Sequence, residues 1–158
     1  MTFWVMKSEP DVYGIDDIAK KSPAICEGCR NYQVRNWMRD VMKVGDLAIL
    51  SHSNSKPSGP AGVVRIVKAA YPDPTQFDKS SQYFDPKSTT DNPRWLAPDV
   101  AFVAKFDRIL PLADLKQIAA LKDMMLLKKG MMFSVTPATK EEFETVVRLG
   151  GLDPAMMA

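Results

Sequence analysis

Between Tyr71 and Trp95 the chain runs through Pro, Asp, Ser and Lys with neither a helical nor a strand period, yet it carries Tyr71, Phe77, Tyr83, Phe84 and Trp95. A loop of that length inside a compact domain is either functional or disordered. Disordered segments are poor in aromatic residues. The segment is therefore expected to be ordered and to shape or cover a binding surface. On both sides of it, strand and helix patterns mix without the regular βαβαβ alternation of a doubly wound sheet. An α+β domain on a curved or barrel-like mixed sheet fits that order.

The chain of 158 residues is long enough for one domain with a core that needs no staples. No internal repeat and no linker divides it, so residues 1–158 are read as one domain. A net charge of +2 makes it no polycation, and any nucleic-acid binding must come from a local basic face. The start, Met1-Thr-Phe-Trp-Val-Met-Lys7, has no charged leader before an apolar run, and no apolar stretch nears the roughly 20 residues of a membrane span. A cytosolic protein with reduced thiols and no membrane partner is expected.

Thr2–Met6 reads as a first strand, Ile15–Lys20 as a short helix and Leu47–Ser51 as a strand. Val34, Trp37, Met38, Val41 and Met42 recur on one face of a helix spanning Tyr32–Val44. Gly62–Ala70, Val100–Ile109 and Met131–Val135 are further strand candidates, and Leu112–Leu121 reads as a helix. Thr139-Lys-Glu-Glu142 is a capping box opening the last helix.

Catalytic patterns are scarce. His52 is the only histidine, beside Ser51, Ser53 and Asn54, and suits a hydrogen-bonding or positioning group better than a general base. No phosphate-binding glycine loop, zinc-protease motif or nucleophile elbow is present. Cys26 and Cys29 form one C-x-x-C, too few ligands for zinc and without a thioredoxin-like unit around it. Two half-buried thiols near a reverse turn at Gly28 are expected. No enzyme activity, metal or cofactor is expected.

What remains are amides, hydroxyls, cations and aromatic faces gathered at the ends of the expected elements, the combination that reads an unstacked base. Singly, most have plain structural uses: Trp4 and Trp37 lie on apolar faces, Tyr32 could staple its helix, Arg30 could pair with an acid, and Asn31 and Ser53 could cap backbone groups. Trp95 and Asn54 are the exceptions, and the case rests on joint placement.

These residues also carry a resemblance. Phe3-Trp-Val-Met-Lys-Ser-Glu-Pro10, Arg30-Asn-Tyr-Gln-Val-Arg-Asn36, His52-Ser-Asn54, Ala70-Tyr-Pro-Asp-Pro-Thr-Gln-Phe-Asp78, Tyr83-Phe-Asp-Pro-Lys87, Pro93-Arg-Trp95 and Phe133-Ser-Val-Thr-Pro137 resemble, in order, the signature segments of the EVE domain, a family of bacterial proteins. The resemblance implies a PUA-like fold, a mixed β pseudo-barrel flanked by helices, and a pocket that binds a modified base in DNA or RNA. It places Trp4, Lys7, Ser8, Arg30, Asn31 and Tyr32 at that pocket or its rim, together with Asn36, Ser53, Asn54, Tyr71, Trp95 and Ser134. Two segments depart from the family pattern. Cys26-Glu-Gly-Cys29 stands where Trp-Asp/Glu-Gly-Val is expected, and Gly130-Met-Met132 where many relatives carry an arginine.

The function expected is non-catalytic reading of a modified cytosine or adenine. The alternatives are a protein-interaction module, a specificity subunit beside a nuclease or other effector, and an enzyme using His52 or Cys26.

Overall fold

In the computed structural model, which describes residues 1–157, six strands form one mixed sheet in the order β2-β5-β4-β3-β1-β6. They are β1 (Phe3–Ser8), β2 (Ala24–Ile25), β3 (Leu47–His52), β4 (Gly59–Pro72), β5 (Leu96–Lys105) and β6 (Val135–Ala138). Among the described residues only β1 and β3 run parallel; the other neighbours are antiparallel. Side chains alternate across a strand. Trp4 and Met6 of β1 therefore enter one core with Val34, Met38 and Ile66, while Val5 enters the other with Ile49, Phe143 and Val147.

The helices flank the sheet: α1 (Pro10–Tyr13), α2 (Ile15–Lys20), α3 (Tyr32–Asp40), α4 (Leu112–Leu115) and α5 (Lys140–Leu149). The Thr139 capping box closes as the sequence indicates, with Thr139 Oγ1 accepting from the Glu142 N–H at 3.1 Å and Glu142 Oε1 from the Thr139 N–H at 2.9 Å. This is the α+β, PUA-like architecture. No pairing joins β2 to β6 among the described residues, so the sheet curls without closing.

Several boundaries move from their sequence positions. The helix beginning at Tyr32 ends at Asp40, because buried Asp46 draws the following chain to itself, accepting from Lys43 N–H and Trp4 Nε1. Leu112–Leu121 is α-helical only to Leu115 and then tightens into i→i+3 turns around the extended Ile118. The last strand starts at Val135, not Met131, and is an edge strand that tolerates Pro137. β4 begins at Gly59, three residues before the Gly62 start that the sequence indicates. The Cβ position of Gly59 lies 1.7 Å from the Leu110 carbonyl oxygen, so only glycine fits there.

Candidate functional site

The open seam between β2 and β6 holds a cavity of about 820 Å³. One side is formed by Pro23, Ala24 and Ile25 of the β2 edge and the turn Cys26–Cys29 that follows. The other comes from Ser134 and Val135 at β6, with Lys7 and Ser8 from the end of β1 and Ser53 just past β3. Tyr13 of α1 and Tyr83 of the long loop supply aromatic rings.

Polar atoms in the cavity are left with capacity. The Ser8 hydroxyl is buried and has no hydrogen-bond partner among the described residues. Lys7 Nζ donates once, to the Met131 carbonyl at 3.0 Å, although an ammonium has three donors. Burial lowers the Lys7 pKa from its ordinary value. Glu27 forms no hydrogen bond or ion pair among the described residues; burial and then the Asp73 charge raise its carboxyl, against the opposing Arg30. Burial pushes the Cys26 thiol up to about 12, and the Cys29 sulfur accepts from Ser134 Oγ at 3.4 Å.

Beside this cavity the long loop is ordered around buried side chains. Gln76 fills all four hydrogen-bonding positions of its amide: Nε2 donates to the Asp73 and Trp95 carbonyls at 2.8 Å, and Oε1 accepts from the Arg94 and Trp95 N–H groups. Asp73, fully buried, accepts from Gly28 N–H at 2.8 Å, Arg30 at 3.1 Å and both the N–H and hydroxyl of Thr75. Burial alone would raise its carboxyl, but those donors together hold it below the ordinary value. The Arg30 guanidinium uses its five N–H donors on Cys29 O, Asp73, Thr75 Oγ1 and, twice, Tyr83 O.

Two consequences follow for the cavity wall. Arg30 lies 5.7 Å from the Tyr83 ring centre, and a Cβ on Gly28 would come within 2.6 Å of that ring. Gly28 also has φ +91°, so glycine is needed there for backbone and for contact alike. The loop network thus fixes Tyr83 against the cavity.

The expected site residues divide accordingly. Lys7, Ser8, Ser53 and Ser134 line the cavity. Asn54, with φ +50°, stands beyond the rim and donates to Glu9 Oε1, itself on the lining. Trp4 does not reach the cavity: it is fully buried, its Nε1 on Asp46 at 3.1 Å, because the apolar alternation of β1 turns it into the core. Trp95 does not line the cavity either: its indole is 6 % exposed, donates to Asp85 at 2.7 Å and has its faces against Tyr32 and Arg30.

Asn31 caps α3 by accepting from Val34 N–H, and Asn36 Oδ1 accepts from Arg35. Tyr32 is exposed but lies between Arg35 and Arg94, and its hydroxyl accepts from Arg94. Tyr71 donates to Asp99 at 2.6 Å, away from the cavity. His52 is buried and its Nε2 accepts the first N–H of α2, from Ile15, at 3.1 Å. Sequence reasoning missed Tyr13, Glu27, Gln82 and Tyr83 as lining residues. The signals were present: Tyr83 opens one quoted motif, and Glu27 and Cys26 sit in the segment that departs from the family pattern.

Comparison with known proteins places these features in a family context. Residues 2–149 match the EVE domain. Zebrafish thymocyte nuclear protein 1 is 45% identical over 170 residues, which cover 96% of this chain and 73% of that protein. A crystal structure of a Pseudomonas putida protein superposes with a TM-score of 0.90 at 47% identity, covering 94% of this chain and 99% of that one. Human THYN1 protein, solved in complex with 5-methylcytosine containing DNA, superposes with a TM-score of 0.88 at 41% identity, covering 98% of this chain and all of that one (100%).

Proposed function

The chain belongs to the EVE domain family, and from that premise we propose that it is a non-catalytic reader of 5-methylcytosine in DNA, taking the extruded base into the cavity between β2 and β6. The observation that carries the reading is the pair at the end of β1: a buried Ser8 hydroxyl without a partner and a Lys7 ammonium with one, both on the cavity lining. Such groups are unfavourable when empty and become favourable when a ligand pairs with them.

A cytosine edge offers acceptors at O2 and N3 and an amino donor at N4. Lys7 and Ser8 match the acceptors, and Glu27 matches the amino group. Extrusion from the duplex costs a few kcal/mol. Stacking on a ring such as Tyr83 or Tyr13 returns ~1–3 kcal/mol. The methyl group meets an apolar side with Ala24, Ile25 and Val135, a fit worth ~1–3 kcal/mol for a group of that size. Absence of catalysis is supported by His52, whose Nε2 is committed to Ile15, and by Cys26, whose thiol is pushed up to about 12.

The test is fluorescence anisotropy at physiological salt with matched oligonucleotides carrying cytosine, 5-methylcytosine, 5-hydroxymethylcytosine or N6-methyladenine. The reading expects 5-methylcytosine to bind at least about 10-fold tighter than cytosine. Equal affinity for all of them would refute it.

A further inference from the structure

Met132 is 89 % exposed, the most exposed of the large apolar side chains, and it stands on the lining of the cavity. Its exposure does not come from a loose backbone. On one side the Met131 carbonyl accepts from Lys7 Nζ at 3.0 Å. On the other, the Phe133 ring packs edge-on against Trp37 at 5.7 Å, and the Ser134 carbonyl accepts from Lys7 N–H at 2.8 Å. The preceding residues turn back sharply, with Met131 N–H on the Lys128 carbonyl at 3.1 Å and Gly130 at φ +76° with open space around it. Lys128 and Lys129 on that turn are exposed and make no ion pair among the described residues.

We propose that Met132 is a duplex wedge: when the modified cytosine leaves the helix for the cavity, the Met132 side chain enters the stack at the vacated position, with Lys128 and Lys129 against the flanking phosphates. The inference rests on the base-reading function of the cavity and adds how the duplex is held open. An extruded base leaves a gap whose neighbours lose stacking, and proteins that distort duplexes fill such steps with apolar side chains, methionine among them. An unbranched thioether adapts to an irregular gap. The geometry meets the main requirement, an anchored apolar side chain at the mouth of the pocket that receives the base, with cations beside it.

The wedge predicts a dependence on strandedness. Met132→Ala should weaken binding of a duplex oligonucleotide carrying one 5-methylcytosine about 10-fold, while binding of the same single strand stays within about twofold, since a single strand has no stack to fill. Met132→Leu should recover most of the duplex affinity. Replacing both Lys128 and Lys129 with Ala should reduce the slope of log affinity against log salt by about two. Equal duplex affinity for Met132→Ala and the unaltered protein overturns the wedge. So does an unaltered protein that binds the modified single strand and not the duplex, an outcome that leaves the base-reading function standing. Failure to bind either form removes both.

Discussion

The cavity at the seam and the network of the long loop meet at Tyr83, and they treat polar atoms in opposite ways. In the network Asp73, Gln76 and Arg30 match every strong donor and acceptor they have. In the cavity, among the described residues, the Ser8 hydroxyl has no partner, the Lys7 ammonium has one, and the Glu27 carboxyl none. Saturated groups specify a fold; groups left open across a cavity are available to a ligand. The difference teaches that an arginine–aromatic vocabulary is not by itself a binding surface. Arg30 and Trp95 would serve a nucleic acid well in composition, and here the Arg30 donors and the Trp95 indole are spent within the loop network.

If that division holds, substitutions in the network should act on stability and substitutions in the cavity on binding. The largest effect is expected for Asp73→Ala, which strands Arg30, Gly28 N–H and Thr75, with a loss of about 3–5 kcal/mol in urea unfolding. The carboxyl of Asp73 is held low in the fold. The stability it supplies is complete above its ordinary value of 3.8 and is lost as pH falls through the lowered folded value. Asp73→Asn should flatten that acid limb of the stability profile.

Trp95→Ala comes next. Removal of a buried indole should cost about 3 kcal/mol of stability, and the fraction that remains folded should bind a 5-methylcytosine oligonucleotide within about threefold of the unaltered protein. A fully stable variant that has lost binding would erase the division between the two regions.

Lys7→Met reverses the pattern. Affinity should fall by about 1.5–3 kcal/mol, the worth of a charge-assisted hydrogen bond, with stability changed by less than about 1 kcal/mol. The smallest effect is expected for Glu27→Gln. It should narrow the preference for cytosine-type bases over thymine by about 1 kcal/mol in competition binding, because the amide can turn a donor toward the base edge.

The sequence made legible what local pattern decides. Ile15–Lys20 and the capped last helix occur where period and cap place them, and five of the six strands overlap their expected spans, the last only at Val135, while the two-residue β2 was not expected. The likeness of separated motifs gave the family and the PUA-like fold, and both are shown. The division between wall and pocket was not legible, because it depends on partners far apart in the chain. Arg30 finds Asp73, Gln76 finds Trp95, and Cys29 finds Ser134 only after the sheet has formed. Trp4 was readable from strand alternation as core, and the resemblance drew it to the pocket instead. Tyr83 had the converse fate: it looked like one loop aromatic among several, and Gly28 and Arg30 turn it into a cavity wall.

The central claim is that the modified base enters the seam and does not stack on the loop cluster. A crystal structure of the protein with a short duplex carrying one 5-methylcytosine tests it most directly. The account predicts the extruded base between the β2 and β6 edges, within hydrogen-bond distance of Lys7 and Ser8 and against the Tyr83 ring. A base stacked on Tyr32 beside Trp95, with the seam filled only by solvent, would contradict it.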